Sequence, residues 1–246
     1  MTERERRHAI LVKLACSPNS ASAFIPTGFG SLDRALAGGL PRGCIAELFG
    51  GSSSGKTTLA LQIVAHAQAR GLSSAWIDVE GSFDAAYAVR QGVFLAQLPL
   101  ARPDTAEESL EIARQLAGSG AIDLLAMDSA AAMTPALELE IGLGDGGPGL
   151  QSRVLTSGFR RLSFAAARTQ TVILVLNQLR SRASAAEEET TPGGPGLKLQ
   201  AASRIALEPS IGLAGVHFRV LKSETGRASR EGDLRFDAVP HCVKSP

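Results

Sequence analysis

Apolar and polar positions along the chain follow two rhythms. Short apolar runs at 44–49, 74–78, 98–101, 124–128 and 172–177 have the length and flanking turn residues of strands. Between them, 57–70, 85–92, 105–117 and 154–167 place apolar residues at helical spacing. Strands alternating with helices predict an α/β fold with a mostly parallel central sheet flanked by helices. Three later runs, 203–208, 216–222 and 233–237, are joined by connections too short for a crossover helix. They predict an antiparallel extension of the sheet toward the C-terminus. Upstream, residues 1–23 read as a short amphipathic helix and polar loop, followed by one core over 24–246. A helix-sized pattern around Leu32 and Leu36 closes at Gly38 and Gly39. Two glycine-containing stretches, 142–149 and 181–196, carry no periodicity and read as functional loops.

Composition sharpens this picture. With 246 residues, 44% of them hydrophobic but only 4% aromatic, the core must be built from Ala, Leu, Val and Ile. A formal net charge of +1 means that any nucleic-acid surface is a local patch rather than a property of the whole chain. Cys16, Cys44 and Cys242 are too widely spaced to read as a metal site or a disulfide framework, so unpaired thiols are expected. The apolar run near the N-terminus is interrupted by Lys13 and too short to cross a membrane; a cytoplasmic protein with no membrane partner is expected.

The sharpest chemistry lies at "GGSSSGKT", which follows a strand and opens a helix. Gly50 and Gly55 allow a tight turn, and Gly51, Ser52, Ser53 and Ser54 lie between them, so that successive amides face phosphate oxygens. Lys56 reaches the β- and γ-phosphates as a point charge, and the Thr57 hydroxyl can ligate Mg²⁺, with Thr58 next in the helix. This is the pattern of a P-loop NTPase, and ATP with Mg²⁺ is the expected cofactor pair. The run "LLAMDS" ends a strand at Asp128, where an acid can hold the metal's water shell. In "AWIDVEGSFD", Asp78 and Glu80 stand at or past another strand end, and Glu80 is placed to polarise an attacking water. Asp84 has two readings, nucleotide contact or N-cap of the helix from Ala85.

These motifs occur in an ordered set with "TGFGSLDRALAGGLPRG", "AWIDVEGSFDAAYAVRQGV", "LNQLR" and "TTPGGPGLKLQAASRIAL". Together they resemble the bacterial RecA recombinase family, from Pro26 to about Asp237. The resemblance implies a RecA-like ATPase core, with Glu80 as the catalytic glutamate, Tyr87 stacking on adenine and Gln178 sensing the γ-phosphate. It further implies single-stranded DNA as partner, bound by the loops at 142–149 and 181–196, and a DNA-stimulated ATPase. Its setting would be homologous recombination, DNA repair or the SOS response. In that family the subunits form a filament with ATP at the interface, and Lys222 matches a lysine that reaches the neighbour's nucleotide.

The chain departs from the family's pattern at named places. The N-terminal region is reduced to about one short helix, and the chain stops at Pro246 where the family continues into a domain that gathers duplex DNA. Glu224 replaces a second lysine that would act on the neighbour, Pro195 replaces a polar residue, and Glu187, Glu188 and Glu189 face only Arg180 and Arg182 in the second loop. These departures resemble the ImuA group, which implies an alternative: an accessory module of translesion synthesis, using nucleotide as a structural switch and partnered by a translesion polymerase.

Overall fold

The computed structural model describes residues 23–141, 149–179, 191–210, 215–225 and 230–236. Its framework is set by strands buried on both faces. In Val172–Gln178, Val172, Leu174 and Leu176 join one apolar cluster, while Ile173 and Val175 join another on the opposite side. A period of two makes any continuous apolar run supply both faces of a sheet.

In chain order the elements are β1 (Phe24–Ile25), α1 (Gly30–Ala35), β2 (Leu40–Pro41), β3 (Ile45–Gly50), α2 (Lys56–Ala69) and β4 (Ser74–Asp78). They continue with α3 (Ala85–Arg90), β5 (Leu100–Ala101), α4 (Ala106–Gly118), β6 (Leu124–Asp128), α5 (Ala136–Glu140), α6 (Leu150–Thr169) and β7 (Val172–Gln178). The last are α7 (Pro195–Gln200), β8 (Ala201–Pro209), β9 (Gly215–Ser223) and β10 (Arg230–Arg235). The main sheet has eight strands in the order β10-β9-β8-β3-β7-β6-β4-β5, and β1 and β2 form a separate antiparallel pair. Strands β8 through β5 run parallel; β9 and β10 add antiparallel rungs.

Each face has its own cover. α2 is apolar almost all round, with Leu59, Leu61, Ile63 and Val64 all buried, because the sheet covers one side and Leu32, Leu36 and Leu40 belong to the same cluster. On the other face α4 and α6 pack together so closely that a Cβ at Gly158 would strike Leu110. Their buried residues include Ala113, Ala117, Leu155, Phe159 and Leu162. α4 begins with a reciprocal cap: the hydroxyl of its N-cap Thr105 accepts from Glu108 N, and Glu108 Oε2 accepts from the amide of Asp104, one residue before the cap.

The expected α/β fold with its mostly parallel sheet and antiparallel C-terminal strands is the fold observed, with several corrections. The run at 203–208 was expected within the antiparallel extension, yet β8 pairs parallel with β3 and only its other side is antiparallel. β5 shrinks to Leu100–Ala101 because Leu95–Gln97 form a 3₁₀ turn just before it. α6 begins four residues before the expected 154, since "LQSR" extends the helix without an apolar rhythm. α7 arises inside the stretch 181–196, started by Pro195 at its first position, where proline's missing N–H costs nothing. Cys44 is disulfide-bonded, against the expectation of unpaired thiols. The helix expected within 1–23, residues 142–148 of the first loop and 180–190 around the second lie outside the described residues. Among the described residues, no helix is long and apolar enough to cross a membrane.

A buried ion pair crosses the middle of the sheet. Arg204 Nε on β8 donates to Glu47 Oε2 on β3 at 2.5 Å, with the Glu47 side chain 0% and the Arg204 side chain 6% exposed. The guanidinium lies 4.7 Å from the Phe49 ring centroid. Replacing one partner strands the other charge away from water, so Arg204→Met is expected to lose about 3–5 kcal/mol of stability, read by urea denaturation. A loss under about 1 kcal/mol would mean that Glu47 finds another partner or takes up a proton.

Candidate nucleotide site

The carboxyl ends of β3, β7, β6 and β4 stand side by side, and each delivers one part of the site. Ligands of open α/β sheets bind at this edge, where loops leave the strands and helix N-termini point back at them.

The turn after β3 depends on glycine. A Cβ at Gly50 would strike the Leu207 carbonyl oxygen of β8, and Gly55 sits at φ +84°, where a Cβ would lie 2.6 Å from Val216 Cγ1. Ser53 also adopts a positive φ, +58°, so the loop curls before entering α2. Lys56 Nζ donates to Gly50 O at 3.1 Å and Gly51 O at 2.7 Å, bending the ammonium over its own loop. Burial pushes the Lys56 pKa down, while Asp128 and Glu80 oppose that shift. The narrow turn, the exposed helix N-terminus and the lysine together suit phosphate groups.

The acids converge on the same point. Thr57 Oγ1 donates to Asp128 Oδ2 at 3.0 Å, tying the start of α2 to the end of β6. Burial raises the Asp128 pKa to about 6; the Thr57 hydrogen bond opposes this, and Glu80 and Asp78 add to it. A hydroxyl and a carboxylate in contact are hard oxygen ligands suited to Mg²⁺, which needs few protein ligands when phosphates and water supply the rest. Among the described residues, no cluster of three or more His, Cys, Asp or Glu side chains offers a metal cage elsewhere.

Glu80 reaches the site through the backbone. The amides of Val79 and Glu80 both donate to Asp128 O, at 2.7 and 3.1 Å, so the chain leaving β4 folds over the end of β6. Its carboxylate is then gripped from two sides. Ser129 Oγ donates to Glu80 Oε1 at 2.5 Å, and Gln178 Nε2 donates to the same oxygen at 3.1 Å. Gln178 is the register partner of Gly50 in the β3–β7 ladder, which brings its side chain beside the loop.

The remaining expected residues divide. Tyr87 is half-buried; its hydroxyl shares a 2.7 Å hydrogen bond with Thr58 Oγ1, and Arg90 lies 5.4 Å from its ring centroid. Asp84 caps α3, its Oδ1 accepting from Tyr87 N at 2.9 Å, which accounts for the residue without a ligand. Asp78 is buried and accepts from Ser82 N, Phe83 N and Arg102 Nε, so it shapes the turn that carries Glu80. Lys222 does not join this site. It is paired with Arg204, itself opposite Glu47, which sets it back along the sheet and two strands from β3. Its ammonium donates to Lys198 O and Leu199 O at 3.4 and 3.2 Å and lies 3.6 Å from Glu224. Burial lowers its pKa, and Glu224 opposes the shift.

Ser129, Glu47, Asn177 and Arg204 have no role in the sequence reading, where Ser129 is only the last letter of "LLAMDS". The signal was present: a charged or amide residue inside "CIAELFG", "VILVLNQ" and "ASRIAL" must find a buried partner.

Comparison with known proteins identifies the family. The family model described as the RecA N-terminal domain matches residues 2–215. The chain is 39% identical to Protein RecA of Thermus thermophilus over 247 aligned residues, covering 95% of this chain and 72% of that protein. It is 41% identical to Protein RecA of Chloroflexus aurantiacus over 230 residues, 89% of this chain and 65% of the relative. With Protein RecA of Lactobacillus delbrueckii subsp. bulgaricus the identity is 46% over 184 residues, 74% of this chain and 56% of the relative. With its motifs, its sheet and these relatives in agreement, the chain belongs to the RecA family.

Proposed function

We propose that this chain binds ATP with Mg²⁺ along the loop from Gly50 to Thr57 and hydrolyses the nucleotide in response to single-stranded DNA, in recombination or repair. The observation that carries the reading is the meeting of Lys56, Thr57, Glu80, Asp128 and Gln178 at the ends of adjoining strands. In this reading the loop amides and the N-terminus of α2 receive phosphate oxygens. Lys56 exchanges the carbonyls of Gly50 and Gly51 for the β- and γ-phosphates. Thr57 and Asp128 would hold Mg²⁺, which when bound offsets phosphate charge. Glu80 orients the attacking water and takes up its proton, with Ser129 and Gln178 fixing the carboxylate. Gln178 can donate instead to a γ-phosphate oxygen, and its change of partner would report the nucleotide's state. Tyr87 offers a ring for adenine. Lys222, remote from its own loop, acts on the nucleotide of an adjacent copy in a filament or smaller homo-oligomer.

The test is steady-state ATP hydrolysis with and without single-stranded DNA at low and moderate salt. Stimulation of about tenfold or more is expected, weakening as salt rises because phosphate contacts release counterions. Nucleotide binding with no stimulation would favour the second reading, an accessory module in which nucleotide acts as a structural switch. One contact favours that alternative: Lys222 is already 3.6 Å from Glu224 within its own chain, which offsets the charge it would offer to a neighbour.

A further inference from the structure

The residue beside Gln178 makes no contact suited to a nucleotide, yet it is among the most constrained polar groups in the chain. Asn177 is fully buried at the end of β7. Its Nδ2 donates to Glu47 Oε1 at 3.0 Å and to Pro192 O at 3.3 Å, while its Oδ1 accepts from Gln178 N at 2.9 Å. Glu47 is held in turn by Arg204. A single planar amide therefore binds three things: a buried carboxylate, the peptide group that carries Gln178, and the chain on its way into α7.

No other small side chain supplies two donors and an acceptor in this plane; aspartate lacks the donors, and leucine lacks both functions. The bond from Gln178 N to Asn177 Oδ1 fixes the orientation of the peptide between the two residues. That orientation determines where the Gln178 side chain starts, and so whether its amide spans the 3.1 Å to Glu80. The anchor itself is rigid, since Glu47 is paired with Arg204 in the middle of the sheet.

We infer that Asn177 is a positioning residue that aims the Gln178 amide, acting from the buried Glu47–Arg204 pair without touching nucleotide. The inference rests on the reading of Gln178 as the group that distinguishes tri- from diphosphate. The Asn177 side chain has no hydrogen bond to the Gly50–Thr57 loop, and its backbone, which pairs with β3, is unchanged by substitution, so its loss should spare diphosphate binding and weaken only the discrimination.

The experiment measures affinity for ADP and for adenylyl imidodiphosphate, with Mg²⁺, in the full chain and in Asn177→Ala, Gln178→Ala and the double variant. Asn177→Ala is expected to bind ADP within about threefold of the unaltered chain. Its preference for the triphosphate analogue over ADP is expected to fall about tenfold or more, to the level of Gln178→Ala. The double variant should be no worse than Gln178→Ala alone, because two changes on one route do not add. A purely structural role predicts additive losses, or an equal loss for ADP, and either would overturn the inference.

If Asn177→Ala does not fold, Glu47→Gln with Asn177→Asp takes its place. That swap reverses the donor and acceptor between residues 47 and 177, keeps one buried negative charge within the network and an acceptor for Gln178 N–H, and gives up only the donation to Pro192 O. It is expected to retain the preference, and a folded swap that loses it would overturn the inference. An unaltered chain with no preference, or Gln178→Ala that keeps it, would sink the reading of Gln178 as well. Loss in Gln178→Ala with retention in Asn177→Ala would sink only the role of Asn177.

Discussion

Replacing Lys56 by Ala is expected to weaken ATP binding by about a hundredfold or more, because it removes the one cation of the loop from a partly desolvated site. The fold should survive. Burial already disfavours the Lys56 ammonium, and its contacts run only to Gly50 O, Gly51 O and Ser54 Oγ, which border the open edge of the sheet. The two effects separate in a thermal melt. ATP at about 100 times its dissociation constant stabilises a protein by about 2.7 kcal/mol. For a chain of this size that is a rise of roughly 5–10 °C in Tm. The unaltered chain should show that rise with MgATP, and Lys56→Ala should rise by no more than about 1–2 °C. A variant that still gains the full shift would remove Lys56 from the site.

Glu80→Gln carries the second large effect and a different signature. Glutamine keeps the shape and an oxygen that can accept from Ser129 and Gln178, so nucleotide binding and the thermal shift should remain. What it loses is the ability to accept a proton from water, a role worth about 10²–10⁴ in rate. Hydrolysis is expected to fall within that range while affinity for ATP changes little. Turnover within tenfold of the unaltered chain would mean that another group orients the water. Asp128 would be the next candidate, since burial has already raised its pKa to about 6.

The site was legible because its chemistry is local. "GGSSSGKT" writes loop, lysine and metal ligand into adjacent positions, and the strand ends at Asp128 and Gln178 are marked by an apolar run stopping at a polar residue. Contacts that depend on register were hidden. Nothing in the spacing says that Gly50 lies beside Gln178, or that Glu47 lies opposite Arg204, since both facts follow from how strands far apart in sequence align. The parallel pairing of β8 was obscured for a related reason. A short helix, Pro195–Gln200, reverses the chain within a glycine-rich stretch that lacks the rhythm of a crossover. Asp84 shows the opposite case: its capping role could be read from "FDAAY" alone, and the structure gives that contact.

The two rims of the sheet bear on how the protein behaves when crowded. Strand edges expose unpaired amides and carbonyls that recruit other chains into aggregates. Among the described residues, one rim is β5, only two residues long, which is too short a template for such growth. The other is β10, whose Arg230, Glu231, Asp233 and Arg235 place charge along its length. A sheet whose middle is apolar apart from the Glu47–Arg204 pair and its partners is therefore guarded at both described rims against pairing with other chains. Neutralising Arg230, Glu231 and Asp233 together would turn that rim into an aggregation hazard without disturbing a single residue of the nucleotide site.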